Sequence, residues 1–296
     1  MKERLPPWFK QKLVDPKIML PMERLLHRLS LHTICQCALC PNIVECFSQK
    51  TATFLILGDI CTRHCTFCAV KKGHPPPVDD NEPQHLLEAV EKLNLSYVVI
   101  TSVTRDDLPD GGASQFVKAI NTLREKMEGT LVEVLIPDFL GSTEAIRVVV
   151  ESRPEVINHN VETVPRLYPQ VRPEADYCRS LELLSTVKNL NPEIVTKSGL
   201  MLGLGETREE VVEVVKDLRG VNCELLTLGQ YLQPSSQHYP VAQYVSPEEF
   251  SVFEGIAKSM GFTEVASAPL VRSSFKAAEL YAKARLNIDH MLEAGA

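Results

Sequence analysis

The sequence lacks the features that would direct a protein to membranes, nucleic acids or secretion. No run of apolar residues approaches the roughly 18 that a membrane span requires. Positive charge is not in surplus, because 31 Lys and Arg face 38 Asp and Glu, for a net charge of -7. No broad basic surface for nucleic acid is therefore expected. Residues 1–12 show neither the apolar core of a secretory signal nor the composition of a transit peptide. We expect a cytoplasmic chain with no nucleic-acid partner and no membrane partner.

The sequence also lacks a Gly/Ser-rich or Pro-rich linker after residue 51, and short β-rich runs alternate there with helical patterns. Most strand candidates are continuous apolar or β-branched runs, which are typical of strands buried on both faces. The predicted strands span residues 53–57, 96–100, 131–136, 155–158, 194–202, 223–228 and 262–266. The predicted helices span residues 83–94, 114–127, 142–151, 179–190, 207–218 and 247–260.

Strand–helix alternation repeated about six times predicts an α/β fold whose parallel sheet has right-handed crossovers. Alternation alone does not decide whether this sheet closes into a barrel. We expect one barrel-like core over residues 51–268, an N-terminal cysteine-bearing extension over 1–50 and a C-terminal extension over 269–296. In such folds chemistry takes place at the carboxyl ends of the strands, where Thr101 and Ser102 follow one predicted strand.

Cysteine is concentrated near the start of the chain, where seven of the nine cysteines lie between positions 35 and 68. In a chain without an export signal, such a block predicts metal or redox chemistry rather than disulfides. Cys61, Cys65 and Cys68 form CxxxCxxC directly after the first predicted strand. Three thiolates on one loop can bind three corners of a [4Fe-4S] cube and leave the fourth iron open. The alternative is a zinc knuckle, which needs a fourth ligand, and His64 would strain the loop.

A second set, Cys35, Cys40 and Cys46, has the spacing CxxxxCxxxxxC. Three ligands again indicate a cluster. However, Cys37 and Cys40 also form a CxxC pair, which zinc would accept. From spacing alone, both interpretations of this second set stay open.

Larger segments show a family resemblance. CxxxCxxC with the aromatic Phe67 before its last cysteine, after the first strand of a parallel barrel, resembles the radical S-adenosylmethionine (SAM) superfamily. The CxxxxCxxxxxC spacing resembles the lipoyl synthase family within it. The further matching segments are RDDLPDGGA (105–113), EVLIPDF (133–139), NHNVETVPRLYPQVRP (158–173), KSGLMLGLGET (197–207), LTLGQYLQPS (226–235) and PLVRSS (269–274).

The resemblance implies a partial (βα)6-type TIM barrel, SAM and two [4Fe-4S] clusters. Cys61, Cys65 and Cys68 would hold the cluster whose open iron binds SAM. Cys35, Cys40 and Cys46 would hold an auxiliary cluster, whose fourth ligand would be Ser274. Phe275 stands where the family has a tyrosine, which puts the role of that hydroxyl in doubt. The residues implied to contact the cofactor are Phe67, Thr101, Ser102, Asn158, Asn160, Glu162 and Arg172.

The implied activity is radical insertion of two sulfur atoms, at C6 and C8 of a protein-bound octanoyl-lysine chain, with the sulfur taken from the auxiliary cluster. The implied partners are octanoylated carrier proteins, namely E2 lipoyl domains and the glycine cleavage H protein, and reduced ferredoxin or flavodoxin as electron donor. Two alternatives are another radical SAM sulfur-inserting enzyme, similar to biotin synthase, and a non-enzymatic iron–sulfur electron carrier. A ferredoxin, however, would show a fourth cysteine in each set.

Overall fold

A computed structural model describes residues 5–9 and 15–294 of the chain. The prediction made on residues 1–12 concerns in part residues 1–4 and 10–12, which lie outside this description. The strands are β1 His32–Thr33, β2 Thr53–Ile56, β3 Ile60–Cys61, β4 Lys71–Lys72, β5 Tyr97–Ser102, β6 Leu131–Leu135, β7 Val156–Asn158, β8 Val195–Leu202, β9 Leu225–Gln230 and β10 Glu264–Ser267. The helices are α1 Pro16–Arg28, α2 Ile34–Cys37, α3 Ile43–Ser48, α4 Glu82–Leu93, α5 Ala113–Lys126, α6 Thr143–Glu151, α7 Tyr168–Val171, α8 Tyr177–Leu190, α9 Arg208–Gly220, α10 Pro247–Ser259 and α11 Ala277–Ala294.

The main sheet has the strand order β1-β2-β5-β6-β7-β8-β9-β10 among the described residues. All pairs from β2 to β10 are parallel, and only β1 pairs antiparallel, with β2. β1 and β10 stand at the two ends of this order, so the sheet is a partial barrel. The α/β fold with a parallel sheet is confirmed, and every predicted strand and helix has a counterpart in the structure.

Local sequence explains where these elements begin. β2 and β9 are buried at every position, as their continuous apolar runs predict. α9 begins with a capping box, in which the Thr207 side chain and the Glu210 side chain each bind the other residue's backbone N–H. Ser142 caps α6 by accepting a hydrogen bond from the backbone N–H of Ala145.

The N-terminal extension contains helices that the sequence analysis did not predict. α1 buries Met19, Met22 and Leu26, which share one helical face. The cysteines of the second set lie on α2, on the turn after it and on α3. The edge strand β1 joins this extension to the barrel through its pairing with β2.

The C-terminal extension returns along the barrel after β10. The backbone N–H of Gln230 donates to the Pro269 carbonyl oxygen, and the Asn42 side chain donates to that of Leu270 at 2.7 Å. Gly229 permits this close approach, because a Cβ there would collide with the Val271 carbonyl oxygen. α11 then packs against the beginnings of β7, β8 and β9. Within the described ranges, no helix combines the length and the apolar character needed to cross a membrane.

Candidate active site

A cavity of about 1150 Å³ lies at the carboxyl ends of the barrel strands. Residues in or directly after β5, β6, β7, β8 and β9 line it, together with parts of both extensions. Five of the six predicted cluster thiols face it, namely Cys35, Cys40, Cys61, Cys65 and Cys68. Thiols of both cysteine sets therefore line one cavity, at the end of the sheet where such folds carry chemistry.

The loop that carries CxxxCxxC is tied to its surroundings by Arg63. Its guanidinium is 5% exposed and donates to both oxygens of Asp106 and of Asp138, at 2.6–3.0 Å. Burial acts to raise the pKa of Asp138, but the hydrogen bonds and charge of Arg63 outweigh it and lower that pKa to about 2. Bidentate charged pairs of this kind fix geometry as well as adding energy. Arg63 lies between Cys61 and Cys65, and its hydrogen bonds thus fix the position of this loop.

The three thiols on this loop influence one another. Burial raises the pKa of Cys65 to about 11, opposed by Arg172 and reinforced by Cys61. Burial also raises the pKa of Cys68 to about 12, with Cys65 and Cys61 adding to the shift. Thiols in such a setting stay protonated unless a cation compensates the charge, and a coordinating metal deprotonates a thiol outright. The loop therefore suits a metal cluster that is bound by all three sulfurs.

The second set forms its own group. Burial raises the pKa of Cys35 to about 12, and the charges of Cys40 and Cys46 add to that shift. Burial likewise raises the pKa of Cys46 to about 11, with Cys40 again contributing. Cys46 does not line the cavity, in contrast to Cys35 and Cys40. Because the three thiols act on one another, the turn between α2 and α3 brings the predicted trio close together.

Cys37 stands apart from this trio. Its pKa is raised by burial and by the charge of Asp59, and Lys71 opposes the shift. The charges that act on this thiol are therefore those of Asp59 and Lys71, whereas Cys40 and Cys46 act on Cys35. In the described residues, no three His, Cys, Asp or Glu side chains converge as a single metal ion would require.

Ser274 lies beside the second trio. Its hydroxyl oxygen accepts a hydrogen bond from Thr53 Oγ1 at 2.7 Å, and Thr53 also hydrogen-bonds Cys35. Ser274 lines the cavity together with Cys35 and Cys40. The neighbouring Ser273 also lines the cavity, but protein partners occupy its hydroxyl.

Six of the seven predicted cofactor contacts line the cavity: Phe67, Thr101, Ser102, Asn160, Glu162 and Arg172. The seventh, Asn158, does not, because its side chain points into the barrel interior toward Glu133. Ser102 Oγ and Arg172 Nε are buried polar atoms that have no hydrogen-bond partner among the described residues. Buried polar atoms are nearly always paired, so these two fit a polar ligand in the cavity.

Glu162 adds a strained backbone to the site. Its φ of 64° places a non-glycine residue in the left-handed region, where strain often marks functional positions. Burial raises the pKa of its carboxyl group, opposed first by the charge of Arg172 and then by the hydrogen bond from Asn160. Arg272, from the C-terminal extension, also lines the cavity. Burial lowers the pKa of Arg272, while Cys40 and Glu162 act to raise it.

Sequence reasoning missed Arg63 and its partner Asp138 as elements of the site. An arginine between two cluster cysteines, followed by acidic residues in the RDDLPDGGA and EVLIPDF segments, was the available signal. Its meaning depends on loops that meet only in the folded chain.

The comparison with known proteins agrees with this geometry. The family model described as Radical SAM superfamily matches residues 55–218. The lipoyl synthase of Caldanaerobacter subterraneus subsp. tengcongensis is 58% identical over 277 residues, covering 94% of this chain and 97% of that protein. The chain belongs to the lipoyl synthase family. The lipoyl synthase of Aquifex aeolicus is 57% identical over 258 residues, covering 87% of this chain and 94% of its own.

Solved structures show the same fold at low sequence identity. HydG, a maturase of the [FeFe]-hydrogenase, aligns with a TM-score of 0.57 at 13% identity, over 85% of this chain and 66% of its own. Methylornithine synthase aligns with a TM-score of 0.52 at 12% identity, over 89% of this chain and 82% of its own. As a lipoyl synthase family member, the chain is a sulfur-inserting enzyme of the radical SAM superfamily, which uses SAM and a [4Fe-4S] cluster. The electron-carrier and biotin synthase-like alternatives are thereby set aside.

Proposed function

We propose that the two cysteine trios divide the work of lipoyl formation. Cys61, Cys65 and Cys68 hold the cluster that acts on SAM. The second trio, with Ser274, holds an auxiliary [4Fe-4S] cluster that supplies two sulfur atoms to C6 and C8 of an octanoyl-lysine chain. The observation that carries this proposal is that thiols of both trios and Ser274 line one cavity of about 1150 Å³.

Hydrogen bonding supports Ser274, rather than Ser273, as the fourth ligand. The Ser273 oxygen accepts from Asn158 at 2.6 Å, and its hydrogen is donated to Asn160 at 2.9 Å. Ser274 has one described partner, Thr53, which also contacts Cys35. A serine oxygen is a harder ligand than a thiolate, so this corner of an iron cluster would be the weakest. A weak corner suits a cluster that gives up its sulfide.

The cavity lining suits both cofactor and substrate. We assign Phe67, Thr101, Ser102, Asn160, Glu162 and Arg172 to SAM, with the charge of Arg172 available to a carboxylate. Held by these residues beside the Cys61 trio, SAM would supply radical chemistry for unactivated C–H bonds, which are beyond the strength of side-chain acids and bases. The apolar side chains of Met201, Leu232 and Val241 line the same space. They would contact the acyl chain and exclude water and other hydrogen donors.

We also propose which proteins carry the substrate and which supply the electrons. An octanoyl chain on a lysine requires a carrier, for which E2 lipoyl domains and the glycine cleavage H protein are the candidates. Reduced ferredoxin or flavodoxin would supply electrons to the Cys61 trio. The division into residues 1–50, 51–268 and 269–296 also stays a prediction, as does the cytoplasmic location.

The test uses full-length protein reconstituted without oxygen. We expect about eight irons and eight sulfides per chain, falling to about four in both Cys61→Ala and Cys40→Ala. Cys61→Ala should abolish SAM cleavage, whereas Cys40→Ala should continue to cleave SAM but insert no sulfur into an octanoyl-lysine peptide. Cys37→Ala is the matched control, because its thiol lies in the same segment but outside the trio. Equal loss of cleavage in Cys61→Ala and Cys40→Ala would contradict the division of work.

A further inference from the structure

Four successive strands place polar side chains inside the barrel, away from the cavity lining. Tyr97 comes from β5, Glu133 from β6, Asn158 from β7 and Lys197 from β8. Glu133, Asn158 and Lys197 are each 0% exposed. A buried ion pair is costly to desolvate, and apolar residues of similar volume are often at least as stable. The presence of Lys197 and Glu133 at this depth therefore indicates a role besides stability.

Both oxygens of the Glu133 carboxylate are engaged. Oε1 accepts from Lys197 Nζ at 2.8 Å and from Asn158 Nδ2 at 3.3 Å. Oε2 accepts from the Tyr97 hydroxyl at 2.7 Å. Burial, together with the charge of Glu133, raises the pKa of Tyr97 well above its usual value, so this hydroxyl stays a donor. Glu133 is thus surrounded by donors on three sides.

The charge of Glu133 sets the direction of a hydrogen-bond chain that reaches the cavity. A carboxylate only accepts, so Asn158 must turn its NH2 group toward Glu133. The same NH2 group donates to Ser273 Oγ, and the Ser273 hydroxyl donates in turn to Asn160 Oδ1. Asn160 Nδ2 then donates to Glu162 Oε1 at 3.0 Å. Each donor in this chain is therefore fixed by the one before it.

We propose that Asn158 is a positioning residue: oriented by the Lys197–Glu133 pair, it anchors Ser273 and so presents the adjacent Ser274 to the Cys35–Cys40–Cys46 trio. The proposal rests on the proposed function, in which Ser274 is a cluster ligand. Two anchors then hold neighbouring residues of one turn, because Asn158 and Asn160 bind Ser273 while Thr53 binds Ser274. Partners beyond the ligands themselves commonly orient metal ligands in this way.

The experiment measures iron retention at the auxiliary trio. In a Cys61→Ala background, reconstituted chains would carry only the auxiliary cluster, and an excess of chelator would remove its iron at a measurable rate. Ser273→Ala and Asn158→Ala should each increase this rate about tenfold, as is typical when a ligand loses its orienting partner. Ser267→Ala is the matched control, since it removes a hydroxyl that donates to the Phe250 carbonyl oxygen in the same part of the chain.

Ser273→Ala removes a hydroxyl that accepts from Asn158 and donates to Asn160, and Ser267→Ala removes a hydroxyl that donates to the Phe250 carbonyl oxygen. If both hydroxyls were merely structural, the two variants would be alike in iron loss. Equal rates in these two variants would overturn the proposal. A Glu133→Gln, Lys197→Met double variant removes both charges and leaves neither unpaired. Its iron loss should also accelerate, and a rate equal to that of the Cys61→Ala parent would overturn the role of the ion pair. If chains with all cysteines intact bind only about four irons, the proposed function itself fails, which is a separate result.

Discussion

The loop that carries Cys61, Cys65 and Cys68 and the segment that carries Cys35, Cys40 and Cys46 face one cavity, but the fold supports them differently. The loop is part of the barrel, and the buried Arg63 ties it to two neighbouring loops through four charged hydrogen bonds. The segment is held where the N-terminal and C-terminal extensions meet. The two extensions are joined by a neutral hydrogen bond from Asn42 to Leu270, and strand β2 adds another neutral one from Thr53 to Ser274.

This difference matches the two tasks that we propose. A cluster that generates a radical must return to the same geometry after every turnover, which a rigid support favours. A cluster that is consumed must be rebuilt, and its support has to open. Contacts between two extensions can open locally without unfolding the barrel, because local opening costs less free energy than global unfolding. We therefore expect that mutations in the two supports differ in their effects on stability, SAM cleavage and iron retention.

We expect the largest effect from removing Arg63, which supports the loop that carries Cys61, Cys65 and Cys68. Arg63→Ala leaves Asp138, which is 1% exposed, without its main charged partner. We expect a loss of about 3–5 kcal/mol in the free energy of unfolding, measured by denaturant titration. SAM cleavage should fall by roughly 100-fold, because a small displacement of reacting groups has effects of that size. Iron at the Cys35 trio should be retained.

Arg166→Ala is the control for Arg63→Ala. Arg166 also forms a bidentate pair, with Glu210, but its side chain is 54% exposed. Water and salt screen an exposed pair, so the free energy of unfolding should hardly change. A loss in Arg63→Ala as small as that in Arg166→Ala would refute the anchoring role of Arg63.

The buried side chain of His159, which directly follows β7, should make the free energy of unfolding depend on pH. Its ring nitrogens lie 2.8 Å from the Ile136 carbonyl oxygen and 3.0 Å from Ser180 Oγ. Burial, reinforced by the charge of Arg172, lowers its pKa from 6.5 to about 4. The unfolded chain therefore binds a proton that the folded chain rejects between pH 6.5 and pH 4. This contribution is fully present above pH 6.5 and declines as the pH falls, by about 3 kcal/mol in total.

A His159→Gln variant tests this dependence. Denaturant titrations between pH 7 and pH 4 should show a free energy of unfolding that falls less steeply in the variant than in the parent chain. Asp138 titrates at lower pH, since its pKa is lowered to about 2, so its effect falls largely outside this window. Identical slopes for variant and parent would show that His159 is not the titrating group.

The sequence predicts a feature of the structure when the residues that form it are close together along the chain. It does not predict contacts between residues that are far apart along the chain. Periodicity predicts β2 and α9 because each element buries its own contiguous residues. The thiols of one trio are likewise local, so their spacing indicates a cluster. The contact between Thr53 and Ser274 spans 221 residues and depends on how the chain returns after β10. No spacing rule contains that path, and the assignment of Ser274 came from family resemblance.

Asn158 illustrates the same limit at a single position. Its place at a strand end predicts a cavity contact, because the ends of parallel strands meet there. In the structure its side chain faces Glu133 and Ser273 inside the barrel, and it does not line the cavity. Side-chain direction within a closing sheet depends on register with the neighbouring strands. The sequence of one strand does not determine that register.

We expect the smallest effect from removing the hydrogen bond that joins the N-terminal and C-terminal extensions. Asn42→Ala removes the hydrogen bond to the Leu270 carbonyl oxygen and should cost about 1 kcal/mol of stability. Because this contact joins the extensions and not the barrel, iron loss to a chelator should accelerate at the Cys35 trio and stay unchanged at the Cys61 trio. Single-trio backgrounds, Cys61→Ala and Cys40→Ala, separate the two rates. Faster loss at both trios would mean that the sites share one support, and the contrast between them would disappear.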